Sequence, residues 1–255
     1  MSIVTFNRPN TKNIGDIIAP WFNFFPEETD THPIRSKKLP EPGKYDVAVF
    51  GGGLYPRTPI LEAWVRKNKQ MGDEGTVTVG WGVGSNCGRF NDSAFTLFSQ
   101  RENHDNWAPC PSCMMSKLDK YRKAKPAHEV VFYQNDDLKL LKDMTSKPLG
   151  PTLGNNHPDI DEVLAFLASG DIVVTSSYHG MFWATMLGRK VGTVPIRPKL
   201  RNAKWPPVYI ADPGNWRRVH KEGRNYPAAL DEARNKTREF YKKFCILVEK
   251  THATK

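Results

Sequence analysis

Short apolar runs alternate with longer amphipathic stretches along most of this 255-residue chain. Runs of strand length separated by helical patterns restrict a chain to α/β architecture with parallel strands. The clearest run is Asp171-Ile-Val-Val-Thr175, which passes straight into Ser-Ser-Tyr-His-Gly180. Further strands are expected at residues 3–6, 46–50, 76–79, 129–133 and 190–195. Helical spacing marks residues 60–70, 160–169 and 178–187, and a shorter helix that opens at 13 and is limited by Pro20. A long terminal helix is expected from residue 227, with Leu230, Ala233, Phe240 and Phe244 on one face. Residues 26–44, 86–128 and 197–227 read as irregular. These units divide into residues 1–128, an α/β lobe; 129–226, a second α/β lobe; and 227–255, a helix packing back towards the first lobe.

Lys plus Arg number 37 and Asp plus Glu 27, a formal charge of +10. A surplus of that size favours an anionic partner: a nucleic acid, a phosphorylated metabolite or an acidic lipid surface. The basic residues are spread along the chain, so charge alone does not choose among them. No apolar run approaches the roughly 18 residues of a membrane span. The opening Met1-Ser-Ile-Val-Thr-Phe6 lacks the regions of a signal peptide, so a cytoplasmic location is expected. Cys110-Pro-Ser-Cys113 has the spacing of half a zinc site, but Cys87 and Cys245 stand apart. A structural thiol pair is the expectation, with metal or redox chemistry as the alternative.

Ligands of open α/β sheets bind at the carboxyl ends of strands. The expected strand at 46–50 runs into Gly51, Gly52 and Gly53, where missing side chains let a ligand approach the backbone. Tight strand–helix packing explains the same glycines. Neither GxGxxG nor GxxxxGK[ST] occurs. After Thr175, the hydroxyls of Ser176 and Ser177 and the amides of a helix start suit a phosphate or carboxylate. His179 there suits a general base, a general acid or an anion contact. The competing reading makes a serine the helix cap and His179 a packing residue.

Five segments resemble the polysaccharide pyruvyl transferase family, in family order and over most of the chain. They are Asn13-Ile-Gly-Asp16, Asp46-Val-Ala-Val-Phe-Gly-Gly-Gly53, Gly80-Trp-Gly-Val-Gly84, Pro109-Cys-Pro-Ser-Cys-Met114, and the stretch from Asp171 to Lys190. The resemblance implies two Rossmann-like lobes facing a cleft, as in GT-B-like transferases, and transfer of pyruvate from phosphoenolpyruvate to a sugar. One departure stands out. The family reads Arg-x-His where this chain has Ser177-Tyr-His179. Arg189, Arg197 or Lys199 is a candidate substitute cation; otherwise the donor is a nucleotide sugar.

The expected function is therefore a transferase that builds or decorates a cell-surface glycan, taking a pyruvyl or glycosyl group to a sugar hydroxyl. His179 and Asp16 are the catalytic candidates, Asp16 as base. Gly51, Gly52, Gly53, Ser176, Ser177, Tyr178, Gly180, Arg197 and Lys199 are assigned to the donor. Asn13 and Gly15 are assigned to the acceptor side. No DxD or paired-histidine pattern occurs in a metal-binding setting, so no metal and no cofactor are expected. The partners are phosphoenolpyruvate or a nucleotide sugar and a saccharide, with peripheral membrane association open. A catalytically silent saccharide- or nucleotide-binding protein of the same fold is the alternative. Nucleic-acid binding lacks any recognisable module and is not expected.

Overall fold

The computed structural model describes residues 1–34, 36–51, 59–84, 92–102, 105–136, 150–194, 200 and 202–253. The chain forms two units. The first comprises Met1–Thr11, Asp16–Ser112 and Arg234–Lys255; the second comprises Lys12–Gly15 and Cys113–Ala233. The main division thus falls between Ser112 and Cys113, ahead of the boundary at 128 expected from sequence.

The first unit holds five parallel strands: β1 (Ile3–Asn7), β2 (Asp30–Pro33), β3 (Val47–Gly51), β4 (Val77–Val83) and β5 (Leu97–Gln100), in the order β2-β1-β3-β4-β5. Residues 47–50 are buried throughout, as a parallel strand covered on both faces requires. The period of two divides them. Val47 and Val49 pack with Trp21, Trp81, Phe240 and Phe244, whereas Ala48 and Phe50 pack with Leu61 and Trp64. The first set faces the terminal helix; the second faces the helix at Pro59–Gln70.

The second unit also holds five parallel strands: β6 (His128–Gln134), β7 (Thr152–Gly154), β8 (Gly170–Thr175), β9 (Lys190–Thr193) and β10 (Val208–Tyr209), ordered β10-β9-β8-β6-β7. In chain order, helices are α1 (Ile14–Ile18), α2 (Pro59–Gln70), α3 (Lys117–Arg122), α4 (Ile160–Ser169), α5 (Tyr178–Met186), α6 (Trp216–Glu222) and α7 (Ala229–Ala253). Val130, Phe132, Ile172 and Val174 pack against Trp216 and Val219 of α6. Helices α4 and α5 lie against β8. Within each sheet the strands run second, first, third, fourth, fifth, so both sheets reverse direction between their first and third strands. That reversal is where open α/β sheets form a crevice.

Several elements differ from the sequence reading. Strand β4 runs on through Gly80 and Gly82, past the end expected at residue 79. Their function is room and curvature. A Cβ on Gly80 would lie 2.7 Å from the Phe98 ring, and Gly82 has φ +54 where the β4–β5 register shifts. This is a bulge rather than a strand end. Strands β2, β5, β7 and β10 are short and polar or sit in proline-rich stretches, so no apolar run announces them. Helices α3 and α6 likewise fall in stretches that read as irregular.

Candidate functional site

Strand β8 is buried along Ile172, Val173 and Val174, and its end delivers three hydroxyl residues in succession. The Ser177 amide donates to Thr175 Oγ1 (3.0 Å), which sets the turn. The Asn135 amide, just past β6, donates to Ser176 Oγ (2.9 Å) and so ties β6 to β8 across the reversal point. Ser177 is the N-cap of α5, its Oγ accepting from the Gly180 amide at 3.4 Å. The cap expected from sequence is therefore real, and both serine oxygens accept backbone hydrogens. Each hydroxyl retains its own O–H as a donor.

His179 is 4% exposed, although it lies in the first turn of α5. Its ring lies 5.3 Å from Trp183 and 5.3 Å, edge-on, from Tyr178. Gly15 supplies the rest of the cover: a Cβ there would overlap the imidazole and approach His179 Cβ to 2.9 Å. The burial arises from residues distant in sequence, which first-turn logic ignores. Gly180 also has a packing task. A Cβ there would strike the Tyr133 ring and lie 2.6 Å from Thr175 Oγ1.

Asn13 and Gly15 thus sit in the second unit with His179. The Gly15 amide donates to Asn13 Oδ1 (3.0 Å), closing a tight polar turn. The Ile14 amide donates to the Asn155 carbonyl (2.9 Å). Asn155, just past β7, is 1% exposed and almost fully engaged. Its amide donates to the Gln134 carbonyl and its Oδ1 accepts from the Asp136 amide (2.8 Å). Its Nδ2 is buried with no hydrogen-bond partner among the described residues. The Tyr133 hydroxyl is in the same condition. Burial, and then the Asp136 charge, push that phenol well above its ordinary range. Sequence reasoning missed Tyr133, Asn135, Asp136 and Asn155. The signal was present: Gln-Asn-Asp after β6 and Gly-Asn-Asn after β7 match the Thr-Ser-Ser after β8.

The corresponding edge of the first sheet carries different chemistry. Asp16 is 8% exposed and pairs with Arg8 at 2.8 Å. A Cβ on Gly51 would lie 2.7 Å from the Trp81 carbonyl, so the glycine permits close strand packing. Gly52, Gly53, Arg197 and Lys199 lie outside the described residues.

Arg189 is corrected as a substitute cation. It is buried, donates through Nη2 to the Ala124 carbonyl (2.6 Å) and immediately precedes β9. That places it at the amino edge of the sheet, opposite Ser176. Arg217 lies over the Trp216 ring, and Arg218 pairs with Glu222 (2.8 Å). Cys110 and Cys113 are both buried; Ser112 Oγ donates to Cys110 Sγ (3.2 Å), and burial pushes the Cys110 thiol up. Cys87 lies outside the described residues. Among the described residues no three His, Cys, Asp or Glu side chains group as metal ligands, and no helix is long and apolar enough to cross a membrane.

No protein-family model and no curated protein matches the chain. Among solved structures it is similar to a functionally uncharacterised protein from Klebsiella pneumoniae subsp. pneumoniae, at 15% identity and TM-score 0.48, covering 82% of this chain and 92% of that one. It is also similar to the wall teichoic acid polymerase TagF, at 13% identity and TM-score 0.40, covering 96% of this chain and 83% of that one. A second structure of TagF gives 11% identity and TM-score 0.40, over 94% and 84%. At such scores the α/β assignment rests on the two sheets themselves.

Proposed function

We propose that the chain is a GT-B-like transferase that moves a group from an anionic donor to a saccharide hydroxyl, building or decorating a cell-surface glycan. The observation that carries this reading is the buried Asn155 Nδ2, a donor with no hydrogen-bond partner among the described residues, at the carboxyl edge of the second sheet. Buried amide hydrogens are rarely left unsatisfied, and such a group points to a ligand atom. The Asn155 carbonyl accepts from the Ile14 amide, and Gly15 next to Ile14 lies against the His179 ring at the start of α5, the positive end of that helix dipole. The reversal point of the sheet lies at the same edge.

The motif resemblance to polysaccharide pyruvyl transferases supplies the reaction class. Phosphoenolpyruvate and a nucleotide sugar remain the two donors; the serine at position 177 favours the second and the surrounding motif the first. Both present phosphate to the second sheet. Asp16 is the base that takes the acceptor's proton, its carboxylate held in place by Arg8. His179 hydrogen-bonds the leaving oxygen. The reaction is proposed to need no metal or cofactor and to take place in the cytoplasm, with peripheral membrane contact bringing the enzyme to its glycan.

A silent binding protein is the second reading. It is favoured by the structural employment of Ser176, Ser177 and Gly180, each of which has a task without a ligand. Thermal unfolding with phosphoenolpyruvate, UDP-glucose or CDP-glycerol tests both. A ligand at 100 times its dissociation constant adds about 2.7 kcal/mol. Asn155→Asp keeps the acceptor for the Asp136 amide but replaces the lone donor with a carboxylate oxygen, so the ligand-induced rise should vanish. His179→Gln should lower transfer about 10²-fold with binding retained. Binding without turnover supports the silent protein, and no rise with any donor contradicts the transferase and leaves, of the silent readings, a saccharide-binding protein alone.

A further inference from the structure

The first unit contains a cavity of roughly 510 Å³ between the open side of β5 and the first half of α7. That volume is within the range of small-molecule sites. Its apolar wall is the half-buried pair Phe95 and Phe98, with ring centroids 5.3 Å apart and planes 19° apart. The pair is held from behind. Phe95 meets Phe50 edge-on at 5.6 Å, and Phe98 covers the space left by the missing side chain of Gly80. These rings are fixed while still presenting surface to the cavity.

The polar lining is balanced in charge. Lys236 and Glu239 on α7 pair at 2.7 Å. Asp105 and Lys243 are exposed, line the same cavity and have no hydrogen-bond or ion-pair partner among the described residues. Two cations therefore face two anions, in a chain whose formal charge is +10. A site for phosphate or nucleic acid gathers cations in excess. Neutrality in so basic a protein selects against such ligands. Fixed aromatic surface combined with both strong donors and strong acceptors suits a molecule with apolar C–H faces and hydroxyls that donate and accept.

We propose that this cavity binds a neutral saccharide, with a sugar ring lying on Phe95 and Phe98 and its hydroxyls bridging Asp105 and Lys243. It rests on the transferase reading only for its use, as a subsite that holds the growing glycan. The ligand class follows from the cavity alone.

Calorimetric titration of the full chain with maltohexaose, cellohexaose and chitohexaose, without donor, tests the site separately from turnover. At least one hexasaccharide should bind. The Asp105→Ala/Lys243→Ala double variant should weaken it by about tenfold or more, since each change removes a charged hydrogen-bond partner. Both residues are exposed, so the thermal midpoint should stay within error of the parent. Donor binding at the second sheet should be unaffected. The proposal is overturned if none of the three binds at millimolar concentration, if binding is the same in the double variant, or if inorganic phosphate displaces the saccharide. Saccharide binding with no donor response would retain this site and reject the transferase.

Discussion

The two sheets share one strand order and differ in almost everything built on it. The first is packed by large aromatic rings: Trp81 lies 5.5 Å from Trp21, 4.9 Å from Phe240 and 5.6 Å from Phe244. The second is packed mainly by Val and Ile, closed by Trp216 of α6. Their carboxyl edges differ as much. The first edge carries the Arg8–Asp16 ion pair, in which each charge is answered. The second is a run of hydroxyls and amides, with Asn155 Nδ2 and the Tyr133 hydroxyl buried and unanswered. Topology supplies a crevice to both, but among the described residues the first edge leaves a buried acceptor, Asn7 Oδ1 at the end of β1, whereas the second leaves donors, which suit an anion. Strand order thus locates candidate sites, and the polar accounting at each edge discriminates between them.

The sharpest way to break the comparison of cores is Trp81→Ala. The side chain is fully buried among rings that cannot collapse into the gap, so a loss of about 3–5 kcal/mol is expected. Ile172→Val, in the aliphatic core, should cost only about 0.5–1.5 kcal/mol. Urea unfolding of both variants checks the contrast; equal losses would mean that the aromatic stack contributes no special packing.

Gly180→Ala comes next. The added methyl meets the Tyr133 ring and Thr175 Oγ1, and α5 must move away from the strands, at about 1–3 kcal/mol. That shift should also weaken donor binding, whereas a merely permissive glycine would tolerate alanine. Ser177→Ala is the smallest effect. Loss of the cap on the Gly180 amide should cost about 1 kcal/mol, read from the same unfolding curves.

The most legible parts of the fold were those where apolar runs have clear ends. Helix α4 spans Ile160–Ser169 as its spacing predicts, with Asp159 capping the Asp161 amide. Strand β8 and helix α5 likewise follow the pattern. Edge strands such as Asp30–Pro33 were not legible, because a strand exposed along one side needs no apolar run. In β4 the glycines misled: their lack of side chain serves Phe98 and a bulge, which sequence alone cannot distinguish from a turn. The candidate site was half legible. The Thr-Ser-Ser-Tyr-His-Gly segment stood out, but Gly15 lies against the buried His179, and the position of Asn155 Nδ2 depends on bonds that Asn155 accepts from Ile14 and Asp136 and donates to Gln134. Those relations exist only once the chain is folded.

The central claim is that the second sheet's carboxyl edge, and not the first's, holds the donor. Crystals soaked with phosphoenolpyruvate or with UDP test it most directly. The account predicts an anionic group beside the start of α5, with Asn155 Nδ2 donating to the bound molecule. Ligand bound solely against Arg8 and Gly51 of the first sheet, with Asn155 Nδ2 still unanswered, would contradict it.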